Sequence, residues 1–209
     1  MSKALMEKVA RSHGLNNPST TTTMACVRYG NVMYSRGSVI PLFLAQMRSG
    51  KPITITNPLM TRFMMSLADS VDLVEFAFHN ARQGDLFIRK ARACTIADLA
   101  TAMLRLFRSE SRIEIIGTRH AEKVSEALAS REELAKAIDM GDYFRIPSDS
   151  RGLDYELYVH EGDASQVEYL DYDSHTVPRM TIEEVEDLLL TLPEIRAELA
   201  HAGLTSSRV

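Results

Sequence analysis

Apolar positions recur along most of the chain at one of two periods, near 3.6 or near 2, and the switches between them mark the elements. Residues 2–11 (SKALMEKVAR) set Ala4, Leu5, Lys8 and Val9 at helical spacing among good helix formers. The spacing predicts a helix that starts abruptly, with no cap before it, which points to a natural beginning further upstream. Asn16, Asn17 and Pro18 read as a loop, and the threonine-rich run 20–28 (TTTTMACVR) reads as a strand with a buried centre. A loop with two glycines over 29–37 leads into a helix over 38–48 (SVIPLFLAQMR), with Ser38 as its cap. The alternating segment 52–56 (PITIT) predicts a short strand, 66–82 an amphipathic helix capped by Ser66, and 85–90 (DLFIRK) another strand. Thr95 opens a third helix, to residue 107, with Asp98 placed for a capping-box-like arrangement. A strand over 113–116 and a helix over 131–140, stopped by Gly141, complete an alternation that predicts an α/β layered fold.

After Gly141 the texture changes. Short strands are expected at 143–146 and 155–160, an aperiodic acidic segment over 161–173, then two helices over 181–190 and 193–201 and a loose tail over 205–209. Thr181 caps the first of these helices and Pro193 opens the second.

Composition narrows the picture without changing it. A chain of 209 residues, 45% hydrophobic and 25% charged, can bury one sizeable core or two small ones. Its apolar runs are broken by charge well short of the roughly 20 residues of a membrane span. No apolar run follows the charged start as in a secretory signal, so a cytoplasmic protein is expected. The formal net charge of −4 argues against general nucleic-acid binding. Arg82, Arg89, Lys90 and Arg92 form the one basic cluster and read as a solvated face. Cys26 and Cys94 lie in apolar stretches outside any metal-ligand or Cys-x-x-Cys spacing and read as inert thiols. Met60, Met64 and Met65 read as packing residues, and His120 is open between a surface and a substrate position.

An α/β chain that ran nicotinamide chemistry alone would carry a glycine-rich strand-to-helix turn, because a dinucleotide pyrophosphate binds amide N–H groups at a helix start. The sequence contains neither Gly-x-Gly-x-x-Gly nor Gly-x-x-Gly-x-x-Gly, and it has no nucleophile elbow, Walker loop or His-Glu-x-x-His motif.

Five blocks nonetheless resemble one family, in that family's order. SKALMEK (2–8) resembles the segment around the catalytic lysine of extended short-chain dehydrogenase/reductases, and VRYGNVMYSRGSVIP (27–41) the strand and substrate loop after it. PITITNPLMTRFMMSLADSVDLV (52–74) and GDLFIRKARACTIADLA (84–100) resemble bacterial UDP-N-acetylglucosamine 4,6-dehydratases and 5-epimerases of capsule and surface-glycan synthesis. GTRHAEKVSEALASREELAKAIDMGDYFRIPSDSR (117–151) is similar to the C-terminal domain of the capsular branch.

The resemblance implies the C-terminal portion of an extended short-chain dehydrogenase/reductase: an incomplete Rossmann sheet, a substrate domain and a C-terminal extension. It divides the chain at 1–116, 117–165 and 166–209. It gives Lys3 the role of the catalytic lysine that holds the nicotinamide ribose of NADP and lowers the pKa of a proton carrier. That carrier's position, four residues before Lys3, lies outside this sequence. It sets Asn31 at the sugar-nucleotide phosphates, Ser38 and Val39 near the uracil, Arg62 and Arg119 on the diphosphate, and Glu122 on the ribose hydroxyls. The segment Ser174-His175-Thr176 departs from the family's Asn-Thr pattern. The implied activity is dehydration or epimerisation of a UDP-N-acetylhexosamine, with the chain inactive alone. A UDP-sugar 4-epimerase and a non-enzymatic nucleotide-sugar-binding or assembly module are the alternatives. The implied partners are a UDP-sugar and either further copies of the chain or a missing N-terminal half.

Overall fold

The computed structural model describes residues 2–16, 20–148 and 170–204. The expected strand over 155–160, residues 161–169 of the acidic segment and the tail over 205–209 lie outside them. The α/β expectation holds, with parallel strand pairs and helices in two interleaved units. One unit takes residues 1–29, 68–90 and 127–172; the other takes 30–67, 91–126 and 173–209.

In the first unit, β1 (Cys26–Arg28) pairs in parallel with β4 (Leu86–Arg89), in the register Val27 to Phe87. β9 (Tyr143–Ile146) runs antiparallel to β4 and carries β8 (Ile138–Asp139) on its far side. Helix α3 (Leu67–Asn80) buries Leu73 and Ala77 with Phe87, and Phe76 stacks on Tyr143 at 3.9 Å between centroids. The strand expected over 20–28 shrinks to its last three residues. Only these find a partner, and threonine's preference for extended backbone is weak without one. The helix expected over 131–140 stops after one turn, α5 (Arg131–Leu134), because Ile138 and Asp139 are taken into the ladder with β9. Helix α1 (Ser2–Asn16), in contrast, runs a turn beyond the expected end at residue 11.

In the second unit, α2 (Val39–Arg48), β2 (Ile53–Ile55) and α4 (Ile96–Leu106) surround a core of Ile40, Phe43, Ile53, Leu99 and Met103. Helices α6 (Ile182–Thr191) and α7 (Pro193–His201) close it with Val185, Leu189 and Ile195. β2 pairs in parallel with β6 (Ile113–Ile115), and β3 (Thr61–Phe63) pairs antiparallel with β5 (Ala93–Thr95). β3 and β5, like β7 (Ala127–Ala129) in the first unit and β10 (Tyr172–Asp173) at 172–173, are too short to leave a period in the sequence.

Thr95 caps α4 as its sequence predicts, accepting from the Asp98 N–H at 2.9 Å and donating to the Asp98 carboxylate at 2.6 Å. Thr95→Ala is expected to cost about 1 kcal/mol of stability, measured as the shift in a denaturant midpoint.

The basic cluster is not a patch. Arg89 pairs with Asp69 at 2.7 Å, Lys90 with Asp139 at 2.7 Å and Arg92 with Glu184 at 2.6 Å, so three of its four charges are answered by a carboxylate. Met60, Met64 and Met65 are buried. Cys94 is buried, and that burial pushes its thiol up to about 12, while half-buried Cys26 is raised by burial and by the neighbouring Glu7 carboxylate. Both thiols therefore stay protonated and unreactive at neutral pH. No described helix is long and apolar enough to cross a membrane.

Candidate functional site

The second unit contains a cavity of about 400 Å³, and its walls follow from three local features of the chain. The first is the loop from Asn31 to Gly37. It is pinned to the chain after β3, with Met33 N–H donating to the Met65 carbonyl at 2.8 Å. It is also pressed close to β3, because a Cβ at Gly30 would lie 2.5 Å from Phe63 Cβ; only glycine fits.

The second feature is the start of α2. Ser38 holds the N-cap position in extended conformation, yet its side chain caps nothing. The third residue of the helix is Pro41, which has no N–H to give, so one of the two donors a cap side chain usually meets is missing. Ser38 Oγ is buried without a hydrogen-bond partner among the described residues. The amides of Val39 and Ile40 belong to the first turn, whose N–H groups have no intrahelical acceptor. Ser38, Val39 and Ile40 all line the cavity, so this helix start faces it with donors and the positive end of the helix dipole.

The third feature is the turn over 117–122, in which Gly117 and Ala121 both have positive φ, 82° and 63°. Glu122 fixes this turn. Its carboxylate accepts from the Arg119 N–H at 3.0 Å and from the Thr56 hydroxyl at 3.1 Å, at the end of β2. The Arg119 amide chiefly, helped by Thr56 and the Arg119 and Arg62 charges, holds the Glu122 carboxyl below its ordinary range, so it is ionised at neutral pH.

Asn31, Ser38, Val39, Arg62, Arg119 and Glu122 all line this one cavity. The two arginines stand differently within it. Arg62 already gives its terminal amino groups to the carbonyls of Thr61 at 2.7 Å, Lys123 at 2.8 Å and Val124 at 3.3 Å, stitching β3 to the chain after the turn. The exposed Arg119 guanidinium makes no hydrogen bond or ion pair among the described residues, and neither does the Asn31 amide. The cavity thus offers an uncommitted guanidinium, a second positive charge, a carboxamide and a helix start, beside apolar walls from Ile55, Met60, Met64 and Leu99. That combination suits an anionic diphosphate with a flat, partly apolar appendage.

Sequence reading missed Thr54 and Thr56, which line the cavity together with Ile55. It also missed Ser174, which is fully buried. Ser174 donates to the Thr61 carbonyl at 3.1 Å and accepts from the Glu126 N–H at 2.9 Å, bracing β3 from a segment whose sequence only departed from a pattern.

Lys3 belongs to the chain's first unit and is exposed on the first turn of α1. A dinucleotide needs amides from a glycine-rich turn, and the described residues supply none. Gly30 is filled over by Phe63 and Gly37 faces open space. The described residues thus lack the turn that would take the pyrophosphate of a nicotinamide cofactor. Nor do the described residues gather three His, Cys, Asp or Glu side chains that could hold a metal ion.

The family described as polysaccharide biosynthesis protein matches residues 1–148, and that described as polysaccharide biosynthesis protein C-terminal matches residues 149–196. A UDP-glucose 4-epimerase of Rickettsia canadensis is 52% identical over 202 residues, covering 97% of this chain and 59% of that protein. The UDP-glucose 4-epimerase of Rickettsia bellii is 51% identical with the same coverage. The chain therefore spans 59% of the length of these curated relatives. Among solved structures, Pen from Bacillus thuringiensis aligns with a TM-score of 0.75 at 33% identity, covering 89% of this chain and 54% of its own. DesIV, a dTDP-glucose 4,6-dehydratase of Streptomyces venezuelae solved with NAD and TYD bound, shares the fold, with a TM-score of 0.52 at 18% identity over 59% of this chain and 39% of its own.

Proposed function

The chain belongs to the polysaccharide biosynthesis protein family, and from that premise we propose that the cavity of its second unit holds the nucleoside diphosphate of a UDP-sugar. The observation that carries the proposal is the uncommitted Arg119 guanidinium, held over the cavity by a turn that Glu122 fixes, together with the uncapped start of α2. In this reading Arg119 grips the diphosphate with charge-assisted hydrogen bonds and Arg62 adds charge from behind. Asn31 donates to a phosphate oxygen, and the Val39 and Ile40 amides with Ser38 Oγ meet the carbonyl oxygens of the uracil. Glu122 keeps the turn in place and has lone pairs left for ribose hydroxyls.

The reaction on the sugar is proposed for the whole-length proteins. The sequence blocks support a UDP-N-acetylhexosamine 4,6-dehydratase or 5-epimerase that uses NADP, in which Lys3 holds the nicotinamide ribose. The name of the 52% identical relatives favours a second reading, a UDP-glucose 4-epimerase. The two differ at the sugar's second carbon, where an N-acetyl group replaces a hydroxyl. Calorimetric titration of the chain with UDP, UDP-glucose and UDP-N-acetylglucosamine tests both levels. UDP is expected to bind, and Arg119→Ala to weaken it by about 10- to 100-fold, the value of one charge-assisted pair at roughly 1.5–3 kcal/mol. An unchanged affinity in that variant, or no binding of any of the three by a folded chain, would refute the nucleotide reading. A preference between the two sugars selects the substrate class.

A further inference from the structure

Tyr34 lies in the loop that walls the cavity, and its backbone is left-handed, with φ at 59°. A bulky L-residue seldom adopts that region, because Cβ crowds the following carbonyl, and it persists only where the surroundings fix it from several directions. On either side the backbone is tied: Met33 N–H donates to the Met65 carbonyl at 2.8 Å, and Ser38 N–H to the Ser35 carbonyl at 3.0 Å. The side chain is tied from a distant part of the sequence, its hydroxyl donating to Glu198 Oε1 on α7 at 3.2 Å.

Glu198 is itself largely covered and forms an ion pair with Arg48, the last residue of α2. One carboxylate on α7 thus reaches both the loop before α2 and the end of the helix whose start faces the cavity. Neither Tyr34 nor Glu198 lines the cavity, whereas Val32, Met33 and Ser35 do. A residue that leaves the left-handed region redirects the chain on both sides of it, so the conformation of Tyr34 decides where those three stand.

We infer that Glu198 is a positioning residue for this cavity, holding Tyr34 in its left-handed conformation so that Val32, Met33 and Ser35 keep the wall that a nucleoside diphosphate meets. The inference rests on the reading of the cavity as a nucleotide site. It makes the C-terminal helix part of the binding apparatus without any contact to the ligand.

A double-mutant cycle on the whole chain separates this role from a general structural one, read both by hydrogen exchange of segment 32–38 and by UDP titration. Glu198→Ala is expected to raise exchange across that segment and to weaken UDP binding by about tenfold. Glycine adopts positive φ without strain, so in a Tyr34→Gly background the same change is expected to cost less than about threefold. Glu198→Gln keeps an acceptor for the phenol and is expected to retain the loop's protection, which guards against a variant that merely fails to fold. Equal losses in both backgrounds would mean that Glu198 acts through Arg48, and would overturn the inference. So would unchanged exchange and affinity in Glu198→Ala. If the unaltered chain binds no UDP, the nucleotide reading fails, while the exchange arm still decides whether Glu198 holds the loop.

Discussion

Arg28→Met is expected to remove about 3–5 kcal/mol from the stability of the first unit, the largest single loss among the substitutions considered, measured by denaturant unfolding. Arg28 sits on β1 between two carboxylates. Nε and one terminal amino group reach Glu7 of α1 at 2.6 and 2.7 Å, while the terminal amino groups reach Glu133 of α5 at 2.7 and 2.8 Å. A fifth hydrogen bond goes to the Leu128 carbonyl at 2.9 Å. The site is partly buried, so the methionine variant leaves two carboxylates facing each other with reduced access to water, a state that costs more than the pair itself contributed. α1 has few other tethers. It is exposed along much of its length, and besides Glu7 it is held chiefly by Arg11, which donates to the carbonyls of Gly84 at 2.8 Å and Pro147 at 3.1 Å. Arg28→Lys is expected to recover only part of the loss, because one ammonium cannot serve two carboxylates in fork geometry.

The same cluster sets an acid limit. Burial raises the pKa of Glu133, but Arg28 and the Ser130 N–H outweigh it, and the net position is below the ordinary value of 4.5. A carboxyl depressed on folding stabilises the fold above its unfolded pKa and loses that contribution as the pH falls through its folded pKa. The first unit is therefore expected to lose stability below about pH 4.5. In Arg28→Met the largest cationic contribution to that depression is gone, so the part of the acid-side loss that comes from Glu133 should shrink.

Gly30→Val is expected to destabilise the second unit by roughly 1–3 kcal/mol and to weaken UDP binding by more than about tenfold. The added Cβ would lie 2.5 Å from the Cβ of fully buried Phe63. No rotamer of Phe63 moves that atom, and Phe63→Ala would leave it in place, so the backbone itself must shift. Asn31 is the next residue, and the shift would travel directly into the cavity wall. Denaturation and UDP titration of the variant measure the two effects separately. Wild-type stability and affinity together would show that the loop's close approach to β3 is not needed.

How much of this was legible in advance varies with the range of the interaction responsible. The helices α2, α4, α6 and α7 were legible because helical period, caps and breakers are local: Thr95 and Thr181 lie where their helices begin, and Pro193 opens the next. The α/β class followed from their alternation with β2, β4 and β6. The short strands β3, β5 and β7 were not legible, since three extended residues carry no period and are strands only by virtue of a distant partner. For the same reason the helix expected over 131–140 gave way to pairing of Ile138 and Asp139 with β9.

The site divides along the same line. The sequence by itself supplied the candidates through blocks whose order resembles one family: Asn31, Arg62 and Arg119 for a diphosphate, Ser38 and Val39 for the uracil and Glu122 for ribose hydroxyls. Only the tertiary structure decided how each is used. It committed Arg62 to backbone carbonyls and left Arg119 uncommitted, and it turned Glu122 into the clasp of a turn against Thr56. It also set Tyr34 against Glu198, 164 positions away. The physical reason is that hydrogen-bond capacity is fixed by residue type, whereas the choice of partner depends on which backbone groups and charges packing leaves without one.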